Sequence, residues 1–295
     1  MRLTVLSDLS REIRTFVYFI LIIATTIFVF SALFSSTSSA SSRISTFHFN
    51  RTFKTTAKTF SFLQNLGGGS GAAPNMNVDG PAPIILPAKS KHTATIIFFH
   101  GLGDQGNGWA QVFKEDIKFD HVKTICPNAG VRPVSLNFGM PMPAWYDILG
   151  LTDNSPEDAA GIQRAAEYVH GLVNAEIKAG IPSERIVLGG FSMGGALAIY
   201  AGLTFDKPLA AIVGLSSFLL QRDKIPGSHT ANLKTPVFLG HGTQDPLVPF
   251  DFGKRTHEAI SKFNPNSQLK AYPMDHTSCA PELKDCRDFL ANILK

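Results

Sequence analysis

Arg185-Ile186-Val187-Leu188-Gly189-Gly190-Phe191-Ser192-Met193-Gly194-Gly195-Ala196-Leu197-Ala198-Ile199-Tyr200 is the stretch whose reading decides the fold. A short apolar run reads as a buried strand, and the run of small and apolar residues after Gly195 reads as a helix. Between them stands Gly190-Phe191-Ser192-Met193-Gly194, a G-x-S-x-G pattern in the context of a nucleophile elbow. Such an elbow holds a serine on a sharp, strained turn with its hydroxyl exposed. Glycines on both sides spare the strand and the helix a Cβ clash. The stretch therefore predicts an α/β-hydrolase fold with Ser192 as nucleophile.

A serine hydroxyl is a poor nucleophile near neutral pH, so a base must take its proton and a carboxylate must orient that base. In this fold the partners follow the serine in the order acid, then histidine. Asp245 follows the apolar run Val237-Phe238-Leu239, and His276 follows Tyr272-Pro273-Met274-Asp275. Both are expected at the carboxyl edge of the sheet, where open α/β sheets place their sites. Among the nine histidines, His241 is the nearest rival base. It shares a strand with Asp245 and is better placed to buttress that loop. Asp275 is a rival acid, but side chains of consecutive residues diverge. Asp251 reads as a helix cap. Upstream, His100-Gly101-Leu102-Gly103-Asp104 ends the first core strand, where such hydrolases supply a second backbone N–H to the oxyanion. Leu102 and Met193 are the candidate N–H donors.

Outward from the elbow, short apolar runs alternate with longer amphipathic ones, the pattern of parallel strands joined by crossover helices. Strands are expected at residues 93–99, 122–126, 186–188, 210–215, 237–239 and 268–272. Helices are expected at 158–179, 193–203, 250–263 and 280–294. Ser155-Pro156-Glu157-Asp158 reads as a capping box for the first of these helices, and Pro281 belongs in the first turn of the last. The expected architecture is α/β, a mostly parallel central sheet with helices on both faces.

The 295 residues are 44% hydrophobic and 17% charged, enough for a substantial core. The formal charge of +4 does not signal nucleic acid, because the basic excess lies before residue 60 and the remainder mixes both signs. Cys126, Cys279 and Cys286 are too few and too scattered for a disulfide framework or a zinc site. Seven helical residues hold Cys279 and Cys286 about 10 Å apart, beyond disulfide reach. No metal and no cofactor is expected.

Residues 15–34 carry no charge and match the roughly 20 apolar residues that span a bilayer. Residues 1–34 are therefore read as a hydrophobic leader or signal-anchor. A cleaved signal peptide is the alternative, since Ser38-Ser39-Ala40 resembles a small-residue cleavage site. Residues 35–84 read as a flexible linker rich in Ser, Thr and Gly, and the acid-free composition of residues 35–78 also resembles a transit sequence. The catalytic domain is expected over residues 85–295.

Seven blocks resemble the acyl-protein thioesterases, also called lysophospholipase-like carboxylesterases. They are Phe99-His100-Gly101-Leu102-Gly103-Asp104, Cys126-Pro127-Asn128-Ala129, Arg132-Pro133-Val134, Trp145-Tyr146-Asp147-Ile148, the elbow, the run from His241 to Pro249, and His276-Thr277-Ser278-Cys279. The resemblance covers roughly residues 91–295. It implies a cytosol-facing, cofactor-free serine hydrolase that removes palmitoyl groups from S-acylated proteins, with the triad Ser192, Asp245 and His276. A carboxylesterase or lysophospholipase is the alternative enzyme, and a non-catalytic lipid-binding module is the alternative of another class. The same carry-over places Trp145, Leu149 and Leu151 along the acyl chain and a membrane surface among the partners; oligomeric state is unknown. Two departures stand out. Met193 occupies a position that is commonly Gln in the family, so side-chain contacts near the leaving group are expected to differ. The region before residue 85 would either anchor the enzyme permanently or be missing from a soluble mature form.

Overall fold

Ile96 and Phe98 point to one face of a strand whose Ile97 and Phe99 point to the other, and all four are buried. A strand apolar on both faces belongs in the middle of a sheet covered on both sides. The computed structural model, which describes residues 80–152 and 155–295, shows that arrangement. The leader and most of the linker expected above lie outside the described residues. Among the described residues, no helix is long and apolar enough to cross a membrane.

The strands are β1 (Ile84–Leu86), β2 (Ala94–Phe99), β3 (Val122–Cys126), β4 (Val131–Val134), β5 (Met140–Pro143), β6 (Ile186–Phe191), β7 (Ala211–Leu215), β8 (Val237–Gly242) and β9 (Ser267–Tyr272). The helices are α1 (Gly106–Glu115), α2 (Ala159–Lys178), α3 (Met193–Thr204), α4 (Phe250–Ser261) and α5 (Ala280–Ile293). Seven strands form one sheet in the order β1-β3-β2-β6-β7-β8-β9. Only β1 runs antiparallel to its neighbour. One core layer joins Ile97, Phe99 and Leu188 to α2 and α3, and another joins Ile96, Phe98 and Val213 to α1 and α5. The expected fold class is the observed one.

Helix α3 is enclosed almost all round, with residues 193–203 buried, which explains a sequence of Gly, Ala and aliphatic residues with no polar stripe. Its approach to the sheet is close enough that a Cβ on Gly194 would overlap the carbonyl oxygens of Phe99 and His100. A Cβ on Gly190 would overlap the backbone of Gly194 and Gly195.

Several elements differ from expectation. The helix α1 contains Gly106 and Gly108, which lower intrinsic helicity, yet it buries Trp109 and Phe113 against Phe98. The hairpin β4–β5 pairs Val131 with Pro143 and Val134 with Met140; three prolines hide it from a strand reading. The capping box before α2 is a single cap. Asp158 accepts the Gly161 N–H at 2.9 Å, whereas the Ser155 hydroxyl is used by the Thr152 N–H at 3.0 Å. Asp251 lies inside the first turn of α4, where it pairs with Lys254 and Arg255 at 3.0 Å each, and the cap is Pro249. Pro281 sits in the first turn of α5 as expected.

Candidate active site

The elbow joins the C-terminal end of β6 to the start of α3 and forces an L-residue to positive φ. Ser192 has φ 54° and ψ −123°, a conformation that persists only where the surroundings enforce it. The Ser192 N–H donates to Leu215 O at 2.8 Å and its carbonyl accepts from Ala196 N–H at 2.9 Å. Both ends of the turn are thereby fixed to regular structure.

The last two parallel strands bring the partners. The loop after β8 carries Asp245, and the loop after β9 carries His276. His276 Nε2 lies 2.9 Å from Ser192 Oγ, and His276 Nδ1 lies 2.7 Å from Asp245 Oδ2. The other carboxylate oxygen of Asp245 accepts the N–H groups of Leu247 at 2.9 Å and Val248 at 2.8 Å. The Asp245 side chain is wholly buried, while His276 keeps a small exposed edge and packs against the Phe191 ring with centroids 4.8 Å apart.

His241, the rival base, donates instead to Val248 O at 2.8 Å and is buried. Burial holds its basicity below the ordinary value for imidazole. It braces the loop that presents Asp245. No hydrogen bond joins Asp275 to His276 among the described residues, and the Asp275 carbonyl serves the Thr277 N–H at 2.9 Å.

Opposite the serine, the turn after β2 is held from three sides. His100 Nδ1–H donates to Gly101 O at 2.7 Å, and its Nε2 accepts the Ala129 N–H at 3.0 Å. The two bonds select one neutral tautomer, and burial favours the neutral form. Trp145 Nε1–H donates to His100 O at 2.9 Å, and Gly103 N–H donates to Pro143 O at 2.8 Å. A Cβ on Gly101 would stand 3.4 Å from the Ser192 Cβ, so this turn abuts the serine. The N–H groups of Leu102 and Met193 have no acceptor among the described residues. Unpartnered N–H groups beside a serine hydroxyl are what an oxyanion site requires.

An imidazole within reach of a hydroxyl, oriented by a buried carboxylate and flanked by free N–H groups, is competent for acyl transfer through a covalent intermediate. Residues 81–294 match the family model described as phospholipase/carboxylesterase. The chain belongs to the phospholipase/carboxylesterase family.

Within that family the chain is similar to the acyl-protein thioesterase 1 of Neurospora crassa, 41% identical over 224 residues that cover 72% of this chain and 91% of the relative. It is likewise similar to the acyl-protein thioesterase 1 of Gibberella zeae, 44% identical over 222 residues covering 71% and 94%. The crystal structure of Zea mays acyl-protein thioesterase 2 superposes with a TM-score of 0.66 at 31% identity, covering 72% of this chain and 99% of that one.

Like any hydrolase of the phospholipase/carboxylesterase family, this one needs room for an acyl group. A cavity of about 430 Å³ lies beside the Asp245 loop, walled by residues 146–152 and 155–159, by residues 218–224 and by Leu247, Val248 and Phe252. Ser192, His276 and Asp245 do not themselves line it, but Leu247 and Val248, whose N–H groups donate to Asp245, do. Leu149 and Leu151 line the cavity. Trp145 does not. It is wholly buried, edge-on to Phe99 at 5.3 Å and tilted against His100 at 4.8 Å, so it supports the turn after β2 and touches no cavity space. Met193 also differs from expectation, because its side chain is 1% exposed within the core. The Met193 side chain therefore packs beneath the elbow. Sequence reasoning did not single out Tyr146, whose hydroxyl donates to Met193 O at 3.3 Å, nor the contact of Glu157 with Gln221. No local pattern marks either, since both join segments distant in sequence.

Proposed function

We propose that this enzyme hydrolyses long-chain acyl thioesters on S-acylated proteins, palmitoyl groups above all, with Ser192 as nucleophile, His276 as general base and acid, and Asp245 as the carboxylate that orients the imidazole. The observation that carries the reading is the unbroken path Asp245–His276–Ser192 at 2.7 and 2.9 Å, near a cavity whose mixed lining includes Leu149, Leu151, Phe218, Leu219, Leu247 and Val248. The names of the relatives, acyl-protein thioesterases 1 and 2, support a thiol as the leaving group.

His276 Nε2 takes the Ser192 proton as Oγ attacks the thioester carbonyl, and the negative charge moves to the carbonyl oxygen, which the N–H groups of Leu102 and Met193 receive. Collapse breaks the C–S bond, and the imidazolium returns its proton to the departing thiolate. Water, deprotonated by the same imidazole, then attacks the acyl-serine and releases the fatty acid. Residues 15–34 would hold the enzyme at the membrane that carries such substrates.

The test is S192A in the full chain, assayed by fluorophosphonate labelling and by hydrolysis of a palmitoylated peptide, a lysophospholipid and a short-chain ester. Both labelling and hydrolysis are expected to vanish in the variant, with the peptide preferred by the unaltered enzyme. Labelling that survives S192A would overturn the nucleophile. Preference for the lysophospholipid would overturn the substrate. Membrane fractionation of the full chain, beside a version with polar residues in place of 15–34, tests the anchoring.

A further inference from the structure

The two longest walls of the cavity come from segments that share no strand or helix. One is the loop leading into α2, residues 146–152 and 155–158; the other is the loop after β7, residues 218–224. Among the described residues, every hydrogen bond between these walls runs through one side chain. The Glu157 carboxylate accepts the Gln221 backbone N–H at 3.2 and 3.1 Å and the Gln221 side-chain Nε2–H at 2.5 Å.

The second wall is shaped to meet it. Gln221 has φ 48° and ψ 40°, a left-handed conformation that is unfavourable for a residue other than Gly, Asn or Asp. The same turn directs both its N–H and its amide at Glu157, and the amide oxygen accepts from Lys224 Nζ at 2.6 Å. Each wall is separately tied to the fold. Asp158 caps α2 and accepts the Asp147 N–H at 3.1 Å, while the Leu219 N–H donates to Thr256 Oγ1 at 3.0 Å on α4. Glu157 lines the cavity and makes no hydrogen bond to Ser192, His276 or Asp245.

We propose that the Glu157–Gln221 clasp fixes the separation of the cavity walls and so makes Glu157 a specificity-determining positioning residue, one that sets how well a long acyl chain is accommodated without altering the chemistry at Ser192. The inference rests on the reading above that this cavity receives the acyl chain. A slot held open before binding spares the ligand the cost of ordering its walls. An acyl group too short to reach the clasp gains nothing from it.

The experiment measures kcat and KM for p-nitrophenyl butyrate and p-nitrophenyl palmitate with the full chain and with E157A, Q221N and L149W. Asn tolerates the left-handed turn at 221 but is one methylene too short to reach Glu157. The expected result is a rise of about tenfold in KM for the palmitate with E157A, a smaller rise with Q221N, kcat within twofold, and butyrate kinetics unchanged. Equal losses on both esters would reduce Glu157 to a structural role and overturn the proposal. If E157A does not fold, Q221N decides. L149W, at a half-exposed position of the cavity lining, separates the two readings. Palmitate hydrolysis untouched by L149W sinks the cavity assignment itself. Selective loss of palmitate hydrolysis in L149W, with E157A and Q221N like the parent enzyme, sinks the clasp alone.

Discussion

Asp245 presents one carboxylate oxygen to His276 at 2.7 Å and commits the other to two backbone N–H groups of its own loop. The asymmetry predicts what D245N does. The Asn oxygen must stay toward the N–H groups of Leu247 and Val248, because a side-chain NH₂ there would face two donors. The amide NH₂ therefore faces His276 Nδ1, which then has to accept. That tautomer places the imidazole proton on Nε2, toward Ser192, and removes the base. Under the proposed assignment D245N keeps its fold and loses about 10³–10⁴-fold in kcat on a short-chain ester. Activity within tenfold of the parent, with an unchanged thermal transition, would show that Asp245 does not govern the tautomer.

Glycine positions separate close approach from simple permissiveness. Gly194 is where α3 meets the end of β2, and its substitution by Ala drives a methyl into the carbonyl oxygens of Phe99 and His100. Because both partners are backbone, relief requires the helix to move, and overpacking of this kind costs about 1–3 kcal/mol or more. Gly171 lies mid-helix in α2 with nothing within 4 Å of an added Cβ, so G171A should add up to about 1 kcal/mol. Urea unfolding of the two variants is expected to move the midpoint in opposite directions. A neutral G194A would mean that the elbow tolerates a wider spacing than its packing implies.

The elbow and the approach of Asp245 and His276 to Ser192 were legible in the sequence because their constraints are local or topological: a serine between strand and helix, and partners at the ends of two later strands. The central strands were legible for a related reason, since burial on both faces leaves continuous apolar runs such as 94–99 and 211–215. Tertiary contacts decided the rest. The helix α1 exists because Trp109 and Phe113 find Phe98 across the sheet face, against the preference of its two glycines. Trp145 sat in an apolar loop that looked like a ligand wall, but its indole N–H is claimed by His100 O. Glu157 carried the signature of a helix start, and its partner lies 64 residues away.

Glu282 makes stability depend on pH. Its side chain is fully buried in the first turn of α5, both oxygens lack a hydrogen-bond partner among the described residues, and it packs on the backbone of Gly240. The titratable groups whose charge interacts with it are Tyr272 and Cys286; Tyr272 in turn donates to Asp285. Desolvation pushes the Glu282 carboxyl up to about 8 from an ordinary 4.5. Between those values the unfolded chain has released the proton and the folded chain still holds it. The unfolded state therefore binds fewer protons, and stability falls as pH rises through the window, levelling off above it. The slope approaches about 1.4 kcal/mol per pH unit near the middle. E282Q should flatten this part of the profile in urea melts at pH 5, 7 and 9. Parallel profiles for the two proteins would assign the dependence to other groups.

His100 is the remaining point at which the site depends on a side chain that does not touch the reacting atoms. Its ring joins the Gly101 carbonyl to the Ala129 N–H, so under the proposed oxyanion assignment the turn that carries the Leu102 N–H is fixed from within the fold. In H100A the Ala129 N–H is buried without a partner, at a cost of about 1–3 kcal/mol, and the turn loses its brace. A wandering donor weakens stabilisation of charge that develops only in the transition state, so kcat should fall by about 10- to 100-fold while KM for a short-chain ester stays within twofold. H100N keeps a short donor on the Gly101 side and should recover part of the rate. A rise in KM at constant kcat would instead place His100 in ground-state binding. Unchanged kinetics in a destabilised H100A would confine its role to folding and leave the turn held by the Trp145 bond to the residue 100 carbonyl and by the Gly103–Pro143 contact.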